Sequence, residues 1–295
     1  MSTKSFDLYK HVTDTIIAAI EAGTSEFALP WQRTGIGEIL PVNAQTGAAY
    51  NGINILSLWA TAMNRGYERG LWATYRQWAE LGAQVRKGER GSCVVFYKQY
   101  EVEPDQTSEG DDGKRRVARV SFVFNAAQVG GFELPDLPDL PPIDRIGQAD
   151  RLIAYLRPDI RFGGDKACYS PSHDFIQMPD ERLFTASDSV KRSEDYYAVL
   201  FHELTHWSGA KPRLNRELGK RFGDHAYAME ELVAELGSAF LCGSLSITPQ
   251  PRADHAGYIA HWLDVMKADK RAIFSAAAKA NEAVTFLRAA VPDAA

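Results

Sequence analysis

A proline-rich run, Leu134-Pro-Asp-Leu-Pro-Asp-Leu-Pro-Pro142, constrains this chain more than any other stretch of it. Pro135, Pro138, Pro141 and Pro142 each fix φ and lack a backbone N–H. No regular helix or inner strand is therefore expected to pass through them, and the segment should run extended. The chain is thereby predicted to form two units, residues 1–134 and 145–295, joined by a linker over 135–144. With 295 residues, 45% of them hydrophobic, each unit can bury a core of its own. The formal net charge of −5 excludes a histone-like polycation and a disordered polyanion, yet leaves room for a local basic face. Cys93, Cys168 and Cys242 lie far apart with no Cys-x-x-Cys pair. That excludes a disulfide framework and a thiolate zinc site, and fits a reducing compartment. The N-terminal residues are broken by Asp7, Lys10 and Asp14 and do not read as a secretory signal. No run of about 18 apolar residues offers a membrane span. A cytoplasmic protein that touches no membrane is expected.

In the first unit, Leu8, Val12, Ile16, Ile17 and Ile20 recur at three- and four-residue spacings and predict a helix that Gly23 ends. Further helices are predicted over 56–63 and 75–81, and strands over 92–98 and 119–124. The polar stretch 101–116, with its Asp-Asp-Gly, reads as a mobile hairpin loop. The second unit reads as helices over 149–156, 196–207, 226–242, 258–266 and 271–287, with short strands at 167–169 and 175–178. The fold class is therefore α+β: a mixed α+β module followed by a mostly helical domain. No internal repeat is visible.

His202-Glu203-Leu-Thr-His206 lies inside the predicted helix Tyr196–Trp207. Residues i and i+4 share a helix face, so both imidazoles can reach one divalent cation. Glu203 sits one position round from the first of them, where it can take a proton from the attacking water. A catalytic site needs a third protein ligand and an open position. Six residues past His206 stands Pro212, which closes the three-histidine route. The other solution is a Glu on a following helix, and Met229-Glu230-Glu231-Leu-Val-Ala-Glu235 offers one. Glu231 is the predicted ligand, with Glu235 and Glu230 as rivals; Glu235, four residues on, can accept a hydrogen bond from a ligand imidazole. Zn²⁺ is the default for two His and one Glu, and Mn²⁺ or another divalent metal can use the same set. This half resembles the zincin metallopeptidases of the Glu-ligand subclass. That resemblance implies peptide-bond hydrolysis and an edge strand over Ser172–Pro179 beside the cleft. Tyr227 and His225 are the candidates for a further donor, each also readable as packed or surface residues.

Trp31, Trp59, Trp72 and Trp78, four of the six tryptophans, cluster in the first half with Tyr50, Tyr67 and Tyr75. Arg33, Arg65, Arg69, Arg76, Arg86, Lys87, Arg90 and Lys98 interleave with them against Glu38, Glu68, Glu80 and Glu89, eight cations to four anions. Rings among cations suit a sequence-tolerant single-strand binder, because bases stack and phosphates pair. Trp59 and Trp78, in apolar helical settings, are expected in the core. Trp31 and Trp72, beside loop residues, are expected to be exposed.

The runs Asp7-Leu-Tyr-Lys-His-Val-Thr-Asp-Thr-Ile-Ile17, Pro30-Trp31, Tyr50-Asn-Gly-Ile-Asn-Ile-Leu56, Trp72-Ala-Thr-Tyr75, Leu81-Gly-Ala-Gln-Val-Arg-Lys-Gly-Glu89 and Val123-Phe-Asn-Ala-Ala-Gln128 resemble the N-terminal single-stranded-DNA-binding domain of the ArdC antirestriction family. Phe201-His-Glu-Leu-Thr-His-Trp-Ser-Gly209, Arg213-Leu-Asn-Arg216 and Tyr227-Ala-Met-Glu-Glu-Leu-Val-Ala-Glu235 resemble the same family's second half. Related modules front plasmid primase-type proteins, and no further primase domain is expected after these helices. The resemblance implies a plasmid-encoded protein that enters a recipient cell and shields incoming DNA from restriction endonucleases. It implies a single-stranded-DNA contact through Trp31, Tyr50, Asn51, Trp72, Tyr75, Arg76, Arg86 and Lys87. It also implies a metal on His202, His206 and Glu231, with Glu203 as base. A DNA-dependent metalloprotease acting on DNA-bound proteins is the second reading, and a binding protein with a structural metal the third.

Overall fold

Asp7 accepts the backbone N–H of Lys10 at 3.1 Å and so caps a helix, α1 (Leu8–Gly23), whose Leu8, Val12, Ile16 and Ile20 form one buried stripe. The computed structural model of the chain describes residues 7–23, 40–101, 114–135, 142–180, 183–184, 189–218, 225–247 and 256–289. After β1 (Val42–Asn43) comes α2 (Ile53–Arg65), which Gly66 ends in the left-handed conformation, its N–H reaching Ala62 and Met63 carbonyls. β2 (Leu71–Ala73) leads into the short α3 (Tyr75–Glu80), started by a capping box between Thr74 and Gln77. β3 (Gln84–Val85) precedes a long hairpin of β4 (Ser92–Glu101) and β5 (Lys114–Asn125), and β6 (Val129–Gly130) closes the half. One sheet has the order β1-β2-β5-β4 and a second pairs β3 with β6. The hairpin ladder runs out to Glu101↔Lys114, so Glu101 and residues 114–116, expected in a loop, are strand. The rest of that expected loop lies outside the described residues, as does most of the proline-rich run.

The second half opens with α4 (Pro142–Leu156). Pro142 was expected to bar a helix; at the first helical position its missing N–H has no intrahelical partner to lose, and its fixed φ suits the turn. Then follow β7 (Asp159–Phe162), β8 (Cys168–Ser170), β9 (Phe175–Met178), and the helices α5 (Ser189–Ser208), α6 (His225–Ser244), α7 (Ala256–Ala268) and α8 (Ala272–Ala289). The three strands form a sheet of order β7-β9-β8. The edge strand expected over Ser172–Pro179 is thereby corrected. Residues 171–174 turn, with Asp174 at φ +52°, and β9 is the central strand, parallel to β7 and antiparallel to β8. Ile176 and Met178 are fully buried, as suits an inner strand, and the sheet's edges are β7 and β8. The whole is α+β in two domains, the second dominated by helices.

The two halves share a core. The α1 stripe and Ile53, Ile55, Leu56 and Trp59 of α2 meet Leu232, Leu236 and Phe240 of α6, with Trp262, Met266 and Ile273 of the last two helices. The Trp59 and Phe240 ring centroids are 6.0 Å apart. Polar clasps flank this contact. Thr13 donates to the Lys270 carbonyl at 2.7 Å, Lys267 pairs with Glu21 at 2.8 Å, and Arg271 stands over the Tyr9 ring. Ile16→Ala, at the centre of this shared core, is expected to lower the unfolding free energy by about 2–5 kcal/mol. Both halves should still melt in one transition. Denaturation followed by tryptophan fluorescence checks this; an unchanged midpoint, or two separated transitions, would contradict it.

Candidate metal centre

Helix α5 presents His202 and His206 on the face turned toward α6, their ring centroids 4.9 Å apart. The two helices approach closely because α6 carries Gly237 where it crosses Thr205: a Cβ there would stand 2.5 Å from the Thr205 side chain. Thr205 is itself tied back to the Phe201 carbonyl at 2.7 Å. This contact brings Glu230, Glu231 and Glu235 against the imidazoles.

Each carboxylate has a separate task. Glu231 faces both Nε2 atoms, its Oε2 3.4 Å from His202 and its Oε1 3.5 Å from His206. The ligand atoms of His202, His206 and Glu231 all lie within 4.8 Å of one another. Glu235 Oε2 stands 3.6 Å from His202 Nδ1, and Glu230 Oε1 stands 3.3 Å from His206 Nδ1. Both rings are thus held by their far nitrogens and turn the near ones toward Glu231, the arrangement that orients metal-binding imidazoles. Glu230 is held in turn by Arg216, which donates Nη2 to Oε1 at 2.8 Å and Nε to Oε2 at 3.1 Å, a bidentate pair buried on both sides. Arg216 also donates to the Thr205 carbonyl and to Ser208 Oγ. It reaches them because the chain doubles back after Gly209, where a Cβ would meet the guanidinium at 2.8 Å.

Glu203, Glu230, Glu231 and Glu235 are all buried. Of these four carboxylates the Arg216 guanidinium offsets one, which leaves the other three facing two imidazoles. Burial alone would push the imidazolium of His202 down, but Glu231, Glu235 and the Glu203 charge reverse this and carry it up to about 10. Burial and then Glu230 and Glu231 act likewise on His206, which rises to about 9. Against burial, the two imidazoles hold Glu231 well below the usual carboxylate range, and His206 and Arg216 lower Glu230. Protons on the two rings supply two positive charges, the number a divalent cation would bring to the same place. Two imidazole nitrogens and a carboxylate, with their outer nitrogens anchored, are a donor set that fits such an ion.

Beside the helix stands the edge strand β8. Cys168 at its start is exposed, yet partial desolvation, and after it the Glu203 charge, raise its thiol. Arg213 fastens this sheet to the end of α5. It stacks over Trp207 at 3.9 Å and pairs with Asp174, which also accepts a hydrogen bond from Tyr169. Tyr227 is half-buried on α6, and the His225 side chain lies outside the described residues.

The residues predicted for DNA scatter more widely. Trp31 lies outside the described residues. Trp72 was expected to be exposed and is fully buried: in mid-sheet it packs among Leu58, Ala62, Val94 and Val123, where no base can reach its face. Tyr50 is buried in the same cluster. Asn51, Tyr75, Arg76, Arg86 and Lys87 are exposed, Arg76 held by Glu80 at 2.8 Å and Arg86 by Glu89 at 3.3 Å. Trp59 and Trp78 are in the core, as expected.

Residues 6–129 match the family model for the N-terminal domain of anti-restriction factor ArdC, and residues 147–279 match that of a zincin-like metallopeptidase. The crystal structure of the antirestriction ArdC protein from plasmid R388, metal-free, is similar over 97% of this chain and 98% of that one, with 41% identity and a TM-score of 0.74. Its Mn(II)-bound structure is similar over 98% and 99%, with 39% identity and the same TM-score. An uncharacterized protein, y4eC, of Sinorhizobium fredii (strain NBRC 101917 / NGR234) is 49% identical over 98% of this chain and 94% of its own length. A DNA primase TraC of Escherichia coli is 36% identical over 95% of this chain, which spans 27% of that protein.

Because Glu230 and Arg216 orient His206 without facing the Nε2 side, Glu230→Gln and Arg216→Met are each expected to weaken Zn²⁺ or Mn²⁺ binding about 10- to 100-fold. Competition against a metal-sensitive dye measures this, and affinities equal to the parent's would refute the orienting role. Arg216→Met should also cost about 3–5 kcal/mol of stability, since it strands a buried carboxylate.

Proposed function

The chain belongs to the ArdC antirestriction family, and from that premise we propose that it is a plasmid-encoded, cytoplasmic protein that binds single-stranded DNA and protects incoming DNA from restriction endonucleases. The observation that carries this reading is the match to R388 ArdC along nearly the whole of both chains, which includes both halves in order. Among the described residues no helix is long and apolar enough to cross a membrane.

In this reading His202, His206 and Glu231 hold a divalent cation, Zn²⁺ or Mn²⁺, and Glu235 and Glu230 orient the two rings. When bound, the cation supplies Lewis acidity for activating a water and polarising a carbonyl. Glu203, buried beside His202, takes the proton of the attacking water and returns it to the leaving nitrogen. The edge of β8 offers backbone donors and acceptors to an extended peptide, and Cys168 at its start feels the Glu203 charge. The set of a metal-ligating triad and an adjacent carboxylate also supports a second reading, a DNA-dependent metalloprotease that acts on DNA-bound proteins.

One substitution separates these readings. Glu203→Gln leaves the triad intact and is expected to bind metal like the parent. If hydrolysis of a protein target is the means of protection, the variant loses protection of transferred DNA in a restricting recipient by an order of magnitude or more. Full protection by a metal-loaded Glu203→Gln protein would reject the proteolytic account and leave DNA binding as the means.

A further inference from the structure

Strand β5 turns Val120, Phe122 and Phe124 to one face of its sheet, with Val120 opposite Val95, Phe122 opposite Cys93 and Phe124 opposite Ala73. Both flanks of that face are covered. Leu71, Ala73 and part of Phe124 lie against Trp78 of α3, whose indole N–H donates to the Phe124 carbonyl at 2.9 Å. Cys93 and Val95 are in the core shared with the last helices. Between the flanks, Phe122 is 53% exposed and Val120 38%. Tyr75, also 53% exposed, stands edge-on to Phe124 with ring centroids 6.4 Å apart, its hydroxyl accepting from Gln84. Gly91 brings the chain directly against this row: a Cβ there would stand 3.0 Å from Phe122 and 3.2 Å from the Phe124 ring.

Contiguous exposed rings of this kind are the surface a contact with another molecule uses. The segment that meets it at both ends, residues 75–91, is cationic. Arg76 follows Tyr75, exposed Arg90 precedes Gly91, and Arg86 and Lys87 lie between, against Glu80 and Glu89. Four cations to two anions is an excess of two in a chain whose net charge is −5. Rings with a positive border match a partner with flat apolar faces on an anionic backbone.

We propose that Tyr75, Phe124 and Phe122 form a stacking row for the bases of single-stranded DNA, with Arg76, Lys87 and Arg90 meeting its phosphates. This rests on the reading that the first half binds single-stranded DNA, and places the aromatic contact on β5 and the start of α3. The test is fluorescence anisotropy of the full chain with a labelled oligothymidylate and a labelled duplex across a salt series. Tyr75→Ala and Phe122→Ala are each expected to weaken single-strand binding about 5- to 150-fold. Phe122→Trp should restore it. Arg90→Ser should lower the salt slope by about one. Unchanged metal binding in each variant shows the fold is kept. A parent that binds while both alanine variants bind within twofold of it overturns the row and spares the single-strand reading. Equal losses on duplex and single strand overturn stacking. A parent that binds neither DNA overturns the reading itself, and the exposed face then belongs to a protein partner.

Discussion

Everything in the second half turns on four carboxylates that cannot stay buried beside each other without positive charge among them. Glu203, Glu230, Glu231 and Glu235 sit where α5 and α6 meet, and Arg216 and the two imidazoles stand against them. Removing an ionised carboxylate from water costs several kcal/mol unless a partner compensates it, so the two helices are held at one distance and one rotation. Gly237 against Thr205 permits that distance, and the turn after Gly209 delivers Arg216 to it. The remaining charge imbalance is what makes the place suited to a cation.

Helix α6 has two working faces. One bears the carboxylates; the other bears Leu232, Leu236 and Phe240, which enter the core built with α1 and α2. The helix that shapes the candidate metal centre is thus also the seam between the halves. A proline-rich connection suggests two beads on a string, but the apolar stripe of α1 finds its partner across that boundary, clasped by Thr13, Glu21 and Tyr9 against the α7–α8 corner. Among the described residues, the β4–β5 hairpin and the centre are therefore built onto one shared framework.

How much of this the sequence displays follows from the range of each interaction. His202 and His206 are legible because one helical turn separates them, and the single carboxylate that faces both rings falls within the short acidic run of α6. Glu230 and Glu231 are neighbours in sequence and about 100° apart on the helix, so their division of labour depends on the crossing angle with α5, which no spacing reveals. Arg216 reaches Glu230 through a turn of irregular backbone, and only Gly209 hints at the close approach. Trp72 reads as a loop residue beside Gly70 and Leu71, yet three residues of sheet carry it into the core. Phe122 and Phe124, in an ordinary alternating strand, give no sign that one stays uncovered; that depends on what α3 and the last helices leave open. The order of β7, β8 and β9 is likewise a matter of pairing between segments, so nothing local in Ser172–Pro179 marks β9 as the inner strand between β7 and β8. Pro142 shows the reverse case, a strong local rule with a known exception at the first turn of a helix.

Glu231 stands between the two Nε2 atoms while Glu230 and Glu235 lie against the far nitrogens of the rings. Anomalous diffraction from crystals grown with Zn²⁺ or Mn²⁺ tests it most directly. One dominant peak is expected within coordination distance of His202 Nε2, His206 Nε2 and a Glu231 carboxylate oxygen, with Glu230 still paired to Arg216. A peak coordinated by Glu230 or Glu235 in place of Glu231, or one displaced onto Cys168, would contradict it.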